Sequence, residues 1–272
     1  MKYVHIMAMA IITFCWIWSL PLLIIGALFA MPFVAAIFIT CILISCYLQY
    51  VNDNKIIINH WLRTLMCTIP WAEWFPCNTL KFNHGVIAVH PHGVLCCGAL
   101  AGIHFVPGST TCLCIAPIVF YIPIIGWIVR LLGCIPADKS IMIQALHKKY
   151  PLLVVPGGVP EIVMAERGDD EMRFKRHGFL RIANQTKQPV HIVYAKGECA
   201  TFKMFKMPLF HVRIWLAWKL NIPCVFPVML GWFGSWIPKR TPISLYCVST
   251  TYSITRNEYE KLLMTLYKKK IT

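Results

Sequence analysis

The sequence predicts an α/β protein, a sheet flanked by helices, that follows a hydrophobic hairpin embedded in a membrane. Three observations carry that expectation. From Tyr3 to Asn52 there is no Lys, Arg, Asp or Glu; short β-favouring runs alternate with helical patterns after that stretch; and 58% of the 272 residues are hydrophobic against 14% charged. Globular chains average about 45–50% apolar and about 25% charged residues, so a disordered, collagen-like or ordinary soluble chain is a poor fit. The length accommodates one folded domain plus a membrane segment. The boundary falls at residue 52, with residues 1–52 as the hairpin and residues 53–272 as a membrane-associated domain.

One bilayer crossing takes about 20 apolar residues, so the opening stretch is long enough for two. Pro21, Gly26 and Pro32 supply the break between them. A hairpin leaves both ends on one side, and the basic residues that follow put that side in the cytosol. The turn from Gly26 to Phe33 has no polar side chain, so a spanning and a re-entrant hairpin both fit. A cleaved signal peptide has an apolar core of only about 7–15 residues, which argues against one here.

Candidate strands follow at Val86–Val89, Leu113–Ala116, Leu152–Val155, Val190–Tyr194 and Ser244–Val248. Helical patterns cover Ile141–Lys149, Gly178–Thr186 and Thr255–Lys269. The last opens with the capping box Thr255-x-x-Glu258 and puts Tyr259, Leu262, Leu263, Leu266 and Tyr267 on one face, so it is expected to dock on the core. Two further uncharged runs, Cys112–Val129 and Ile222–Pro238, are interrupted by prolines. Each reads either as a buried strand with a short helix or as a membrane-dipping wall.

The net charge of +15 lies almost wholly after residue 52, because Lys2 is the only charged residue before Asp53. Such a domain suits an anionic leaflet or a polyanion such as coenzyme A. Nucleic acid is a poor partner, since most of the ten Trp lie inside apolar runs rather than along a basic stripe. The thirteen cysteines include no C-x-x-C, so free thiols are expected and no metal site.

Val86–Val89 runs into His90-Pro91-His92-Gly93, which places two imidazoles on a turn at a strand exit. Imidazole is the natural base for deprotonating an alcohol near neutral pH, and it needs a carboxylate to fix its tautomer. Most of the eleven carboxylates fall on polar loops or helix starts. Glu161 instead follows the strand-to-turn sequence Leu152 to Pro160, with Glu198 after the next strand as the reserve. Gly157 and Gly158 let backbone donors approach an oxyanion or phosphate closely. Arg173, Lys175, Arg176 and Arg181 form a basic cluster suited to phosphates. No G-x-S-x-G is present, which disfavours a serine hydrolase, and Cys96 and Cys97 read as buried thiols.

His90-Pro91-His92-Gly93 resembles the signature of the type-2 diacylglycerol acyltransferase family, which includes monoacylglycerol and wax-ester acyltransferases. Trp74-Phe75-Pro76, Gly133-Cys134-Ile135-Pro136, Val155 to Glu161, Arg176 to Ala183 and Lys196-Gly197-Glu198 follow in the family's order, so the resemblance covers about residues 70 to 270. Pro156 and Lys196 stand where the family usually has a small residue and Phe. The His-x4-Asp motif of the wider glycerophospholipid acyltransferases is absent, since Leu95 and Cys97 occupy the acidic position.

The resemblance implies an acyltransferase-type mixed sheet and acyl transfer from acyl-CoA to the free hydroxyl of diacylglycerol. Monoacylglycerol or a fatty alcohol is the alternative acceptor, and a non-catalytic lipid-binding or droplet-shaping protein the alternative of another class. His92 is the expected base, with His90 shaping the loop or sharing the role. Glu161 orients the imidazole, Gly93, Gly157 and Gly158 shape the loops and the oxyanion site, and no metal or cofactor takes part. Between Lys81 and Arg130 there is no Lys or Arg, which favours a neutral acceptor. Acyl-CoA, a neutral glyceride and membrane lipid are the expected partners, and a homo-oligomer is left open. Lys269-Lys270-Ile271-Thr272 resembles an endoplasmic-reticulum retrieval signal, which implies that membrane as the location, both termini cytosolic, with lipid droplets as a second site.

Overall fold

Strands and helices alternate as the sequence predicts. The computed structural model describes residues 36–37, 39–44, 47, 60–69, 71–122, 125–167, 176–220, 229–235, 237–251 and 254–268. In chain order its main elements are α1 (His60–Cys67), β1 (Val86–His90), β2 (Cys112–Ile115), α2 (Ile125–Leu131), β3 (Cys134–Pro136), α3 (Lys139–His147), β4 (Leu152–Val154) and α4 (Gly158–Met164). Then come α5 (Gly178–Gln185), β5 (Val190–Lys196), α6 (Phe210–Leu220), β6 (Ser244–Thr250) and α7 (Arg256–Lys268).

The strands form one mixed sheet in the order β3-β2-β4-β1-β5-β6. The first five are parallel, with Val86 opposite both Leu152 and Val190, and β6 runs antiparallel to β5. Helices cover both faces, so every residue of β1 is buried and its sequence shows no polar alternation. The period of two survives in the packing. Val86 and Ala88 join Phe179, Ala183, Tyr259 and Leu263 under α5 and α7, whereas Ile87 and Val89 face Phe75, Phe120 and Ile125 on the other side.

The helix ends follow the sequence. Asp138 accepts hydrogen bonds from the amides of Ser140 and Ile141 to start α3. At α7 the capping box forms as expected, with the Thr255 amide donating to Glu258 at 2.8 Å and the Glu258 amide to Thr255 Oγ1 at 3.3 Å. β3 is short and ends in Pro136, which an edge strand tolerates because one side of it needs no partner.

The first uncharged run is a strand, β2, followed by a 3-10 turn at Pro117–Tyr121 and then α2. Ile118, Tyr121 and Trp127 project from it into solvent. Of the second run, the structure describes the Met229–Leu230 strand, which pairs with Lys203–Met204 in a two-strand ribbon, and the turn Trp232–Gly234. The expected hairpin over 1–52 lies almost wholly outside the described residues, of which 36–37, 39–44 and 47 are helical. Among the described residues no helix is long and apolar enough to cross a membrane.

Candidate active site

β1, β4 and β5 are parallel neighbours, so their carboxyl ends open on one edge of the sheet, where α/β folds place ligands. His90 is the last residue of β1 and shares the face of Val86 and Ala88. Its ring is therefore directed under α7 rather than outward. Nδ1 lies 3.0 Å from Glu161 Oε1 and Nε2 lies 2.8 Å from the Tyr259 hydroxyl, and the residue is 1% exposed. A carboxylate only accepts, so Nδ1 donates to Glu161, and in the neutral ring the Tyr259 hydroxyl donates to Nε2.

His92 follows on the turn and is only half-buried. Its amide donates to the second oxygen of Glu161 at 2.7 Å, and its Nδ1 lies 3.0 Å from the Gly93 carbonyl. A carbonyl can only accept, so Nδ1 holds the proton and Nε2 carries the basic lone pair. Burial is the main reason that the imidazole stays below the usual histidine range, and the nearby Arg176 cation lowers it further against opposing pulls from the Gly93 carbonyl and Glu161. The ring is neutral at pH 7.

These contacts correct one sequence-based expectation. Glu161 orients the ring of His90, not that of His92; it reaches His92 through the backbone amide. The reason is strand parity, which turns the His90 ring inward onto the helix carrying the carboxylate. Glu198, the reserve candidate, grips the other limb of the same loop, accepting from the amides of Cys97 and Gly98 at 2.8 and 2.7 Å. Two buried carboxylates thus clamp residues 90–98.

The glycines make room for the clamp. A Cβ on Gly157 would stand 1.6 Å from the Glu161 carboxyl carbon. Gly93 has φ +56 and its Cβ would stand 2.6 Å from Glu198, while Gly158 has φ +54 and its Cβ would stand 2.5 Å from the Arg176 guanidinium. Arg176 is thereby seated against the turn beside His92. The sequence around the histidines carries no cation, yet the fold brings one to them.

The rest of the basic cluster divides. Arg173 and Lys175 lie outside the described residues. Arg181 is exposed on α5 and lines an open cavity of about 360 Å³ with His177, Asn184, Thr255 and Arg256. Cys96 Sγ lies 3.4 Å from His92 Nδ1, but burial pushes both the Cys96 and Cys97 thiols well up, so neither is a thiolate. Among the described residues no three His, Cys, Asp or Glu stand together as a metal site.

Tyr259 is the residue that sequence reasoning missed. It was legible as part of the apolar face of α7, and the one signal of a further role is its hydroxyl, which a buried tyrosine must pair.

A family model described as diacylglycerol acyltransferase matches residues 29–257. The chain belongs to that family. A human protein named diacylglycerol O-acyltransferase 2-like protein 6 is 27% identical over 168 residues, 54% of this chain and 49% of its own length. Human 2-acylglycerol O-acyltransferase 3 is 22% identical over 194 residues, 62% of this chain and 56% of its own. The chain thus spans about half the length of the curated relatives it matches. The crystal structure of the 1-acyl-sn-glycerophosphate acyltransferase PlsC from Thermotoga maritima is similar in fold, with a TM-score of 0.50 and 12% identity, covering 100% of this chain and 99% of that one. The loop His90-Pro91-His92-Gly93 closes the first strand of the sheet.

Proposed function

We propose that this member of the family is an acyl-CoA-dependent O-acyltransferase that esterifies the free hydroxyl of diacylglycerol to form triacylglycerol, working at the endoplasmic-reticulum membrane with access to lipid droplets. The observation that carries the reading is the geometry of His92, a half-buried imidazole at the strand exit whose amide is held by Glu161, whose Nδ1 faces the Gly93 carbonyl and which burial keeps below the usual histidine range. Nε2 then takes the proton of the acceptor hydroxyl as its oxygen attacks the thioester carbonyl carbon. The tetrahedral oxyanion collapses with cleavage of the C–S bond, and the imidazolium returns the proton to the departing coenzyme A thiolate. The Glu161 charge favours the imidazolium while it exists, and His90 holds Glu161 in place. Arg176, with the Gly157-Gly158 turn, faces the negative charge that develops on the acyl carbonyl. The farther Arg181, with Arg173 and Lys175, is assigned to coenzyme A phosphates. Neither a metal nor a cofactor enters this scheme.

A monoacylglycerol or fatty-alcohol acceptor is the second reading, and the 2-acylglycerol acyltransferase relative favours it. The test is to give membranes containing the full chain labelled acyl-CoA with diacylglycerol, monoacylglycerol, a long-chain alcohol or lysophosphatidate in turn. Diacylglycerol should be labelled fastest, and His92→Ala and Glu161→Gln should each lower turnover by about 10²- to 10⁴-fold while the protein stays in the membrane. Preference for monoacylglycerol or the alcohol would promote the second reading. Preference for lysophosphatidate would overturn the neutral acceptor, and unchanged rates in both variants would overturn the mechanism.

A further inference from the structure

We propose that the outer face of α6, with the loop that leads into it, is a docking surface for an anionic phospholipid leaflet and seats the Glu161 side of the site on the membrane. Leu209 is 71% exposed, Trp215 55%, Val212 50% and Phe205 41%. These residues lie within eleven positions, and Lys203, Lys206 and Lys219 are exposed among and beside them. The Lys203–Met204 and Met229–Leu230 ribbon ties the start of this segment to a second turn, whose Phe233 is 89% exposed.

Charge selects the occupant. From Cys199 to Asn257 the chain holds no Asp or Glu and seven Lys or Arg. Val212 and Trp215 on α6, with Phe205 and Leu209 on the loop before it, form an exposed apolar patch rimmed by Lys203, Lys206 and Lys219, whose apolar side chains can enter the acyl boundary while the lysine heads reach the phosphates. An anionic leaflet complements both the apolar patch and the exposed Lys203, Lys206 and Lys219 among and beside it.

The opposite face of α6 is held firmly. Arg213 and Ala217 are buried, and the Arg213 guanidinium pairs with Glu166 at 2.6 Å, their side chains 6% and 2% exposed. Glu166 also accepts from the Met207 amide, which fixes the loop before the helix. Glu166 lies in the 3-10 turn directly after α4, and α4 carries Glu161 and packs against α6. A lipid surface at Trp215 is thus one helix layer from the clamp that holds His92. A hydroxyl lipid dissolved in that leaflet would approach the site from this side. That statement about the acceptor rests on the function proposed above; the lipid contact does not.

The experiment places the photoreactive residue benzoylphenylalanine at Trp215 in the full chain, with a control at the exposed Gln185 on α5. Both are reconstituted in phosphatidylcholine vesicles with or without phosphatidylserine. Lipid adducts are expected at 215, increased by phosphatidylserine, and not at 185. The triple variant Lys203→Gln, Lys206→Gln, Lys219→Gln should lose the phosphatidylserine increase, by about fivefold per lysine. It should also raise the apparent KM for the membrane-dissolved acceptor severalfold and leave that for acyl-CoA unchanged. Adducts at 215 to a second copy of the chain, or no lipid adduct in an enzyme that still turns over, would overturn the docking surface. Equal changes in both KM values would overturn the route for the acceptor. Cross-linking reads the contact without turnover, so a chain that fails to transfer acyl groups yet forms the lipid adduct sinks the proposed activity and leaves the surface standing.

Discussion

The Tyr259 hydroxyl meets Nε2 of His90 at 2.8 Å, so α7 reaches through the core to the strand that carries the candidate site. Tyr259→Phe keeps the ring packing on Phe179 and leaves that nitrogen without its donor. The expected loss is about 1–3 kcal/mol of stability, the cost of a buried unsatisfied group. Turnover should fall roughly tenfold through displacement of the clamp, less than the ~10²-fold of a full ångström at the reacting atoms. Thermal melts and initial rates check both, and an unchanged protein would show that the contact does not hold the site.

Gly157→Ala introduces a methyl group into the space of the Glu161 carboxylate at a backbone conformation, φ −61, that alanine adopts freely. Backbone strain is absent, so the effect reads the carboxylate alone. Turnover is expected to fall by about 10²-fold or more. Gly178→Ala, with no atom within 4 Å of the new Cβ, should match the parent. Equal rates for both variants in an acyl-transfer assay would remove Glu161 from the mechanism.

The rate should also report the ionisation of His92. Burial holds this imidazole below its usual 6.5, and a base acts only when neutral. The profile of kcat/KM should therefore reach its plateau at lower pH than an ordinary imidazole would give, and fall on the acid side. Arg176 pushes the His92 value down, so Arg176→Gln should move the acid limb to higher pH, whatever it does to the plateau. A limb that stays in place or moves to lower pH contradicts the assignment of His92 as the base.

A second histidine governs stability rather than rate. His104 is fully buried, with Nε2 on the Leu132 carbonyl, and burial together with the Arg63 cation lowers its pKa to about 3. Unfolding restores a value near 6.5, so the unfolded chain takes up a proton that the native state refuses. The contribution is complete above pH 6.5 and is lost as pH falls toward 3, at about 1.4 kcal/mol per unit. Between pH 7 and 5 this amounts to about 2 kcal/mol, and His104→Gln should remove that part of the pH dependence in denaturation curves.

Five strands of the sheet were legible as short β-favouring runs, and α7 because Thr255 and Glu258 announce its start; β3 was not among those runs, because three residues ending in Pro136 are too short to make one. The positions of His90, His92 and Glu161 were legible as strand exits, but which imidazole meets the carboxylate was not. That depends on which way the β1 side chains alternate, and a strand buried on both faces, Val86 to Val89, conceals it. Tyr259 was hidden among leucines on a packed face. α6 was not predicted because Phe210 to Leu220 is apolar on nearly every side, and the burial of Arg213 and Ala217 tells its inner face from its outer one.

The sheet holds His90, yet the lock on its ring comes from α7, which follows every strand in the sequence. A chain growing from its N-terminus on the ribosome therefore has all the strands, both clamping carboxylates and the histidine loop before it has Tyr259. Folding of the nascent domain can proceed to the sheet while the imidazole still lacks its second partner. A polypeptide that stops after residue 250 would hold every strand of the sheet and leave the His90 ring with Glu161 but without the Tyr259 hydroxyl.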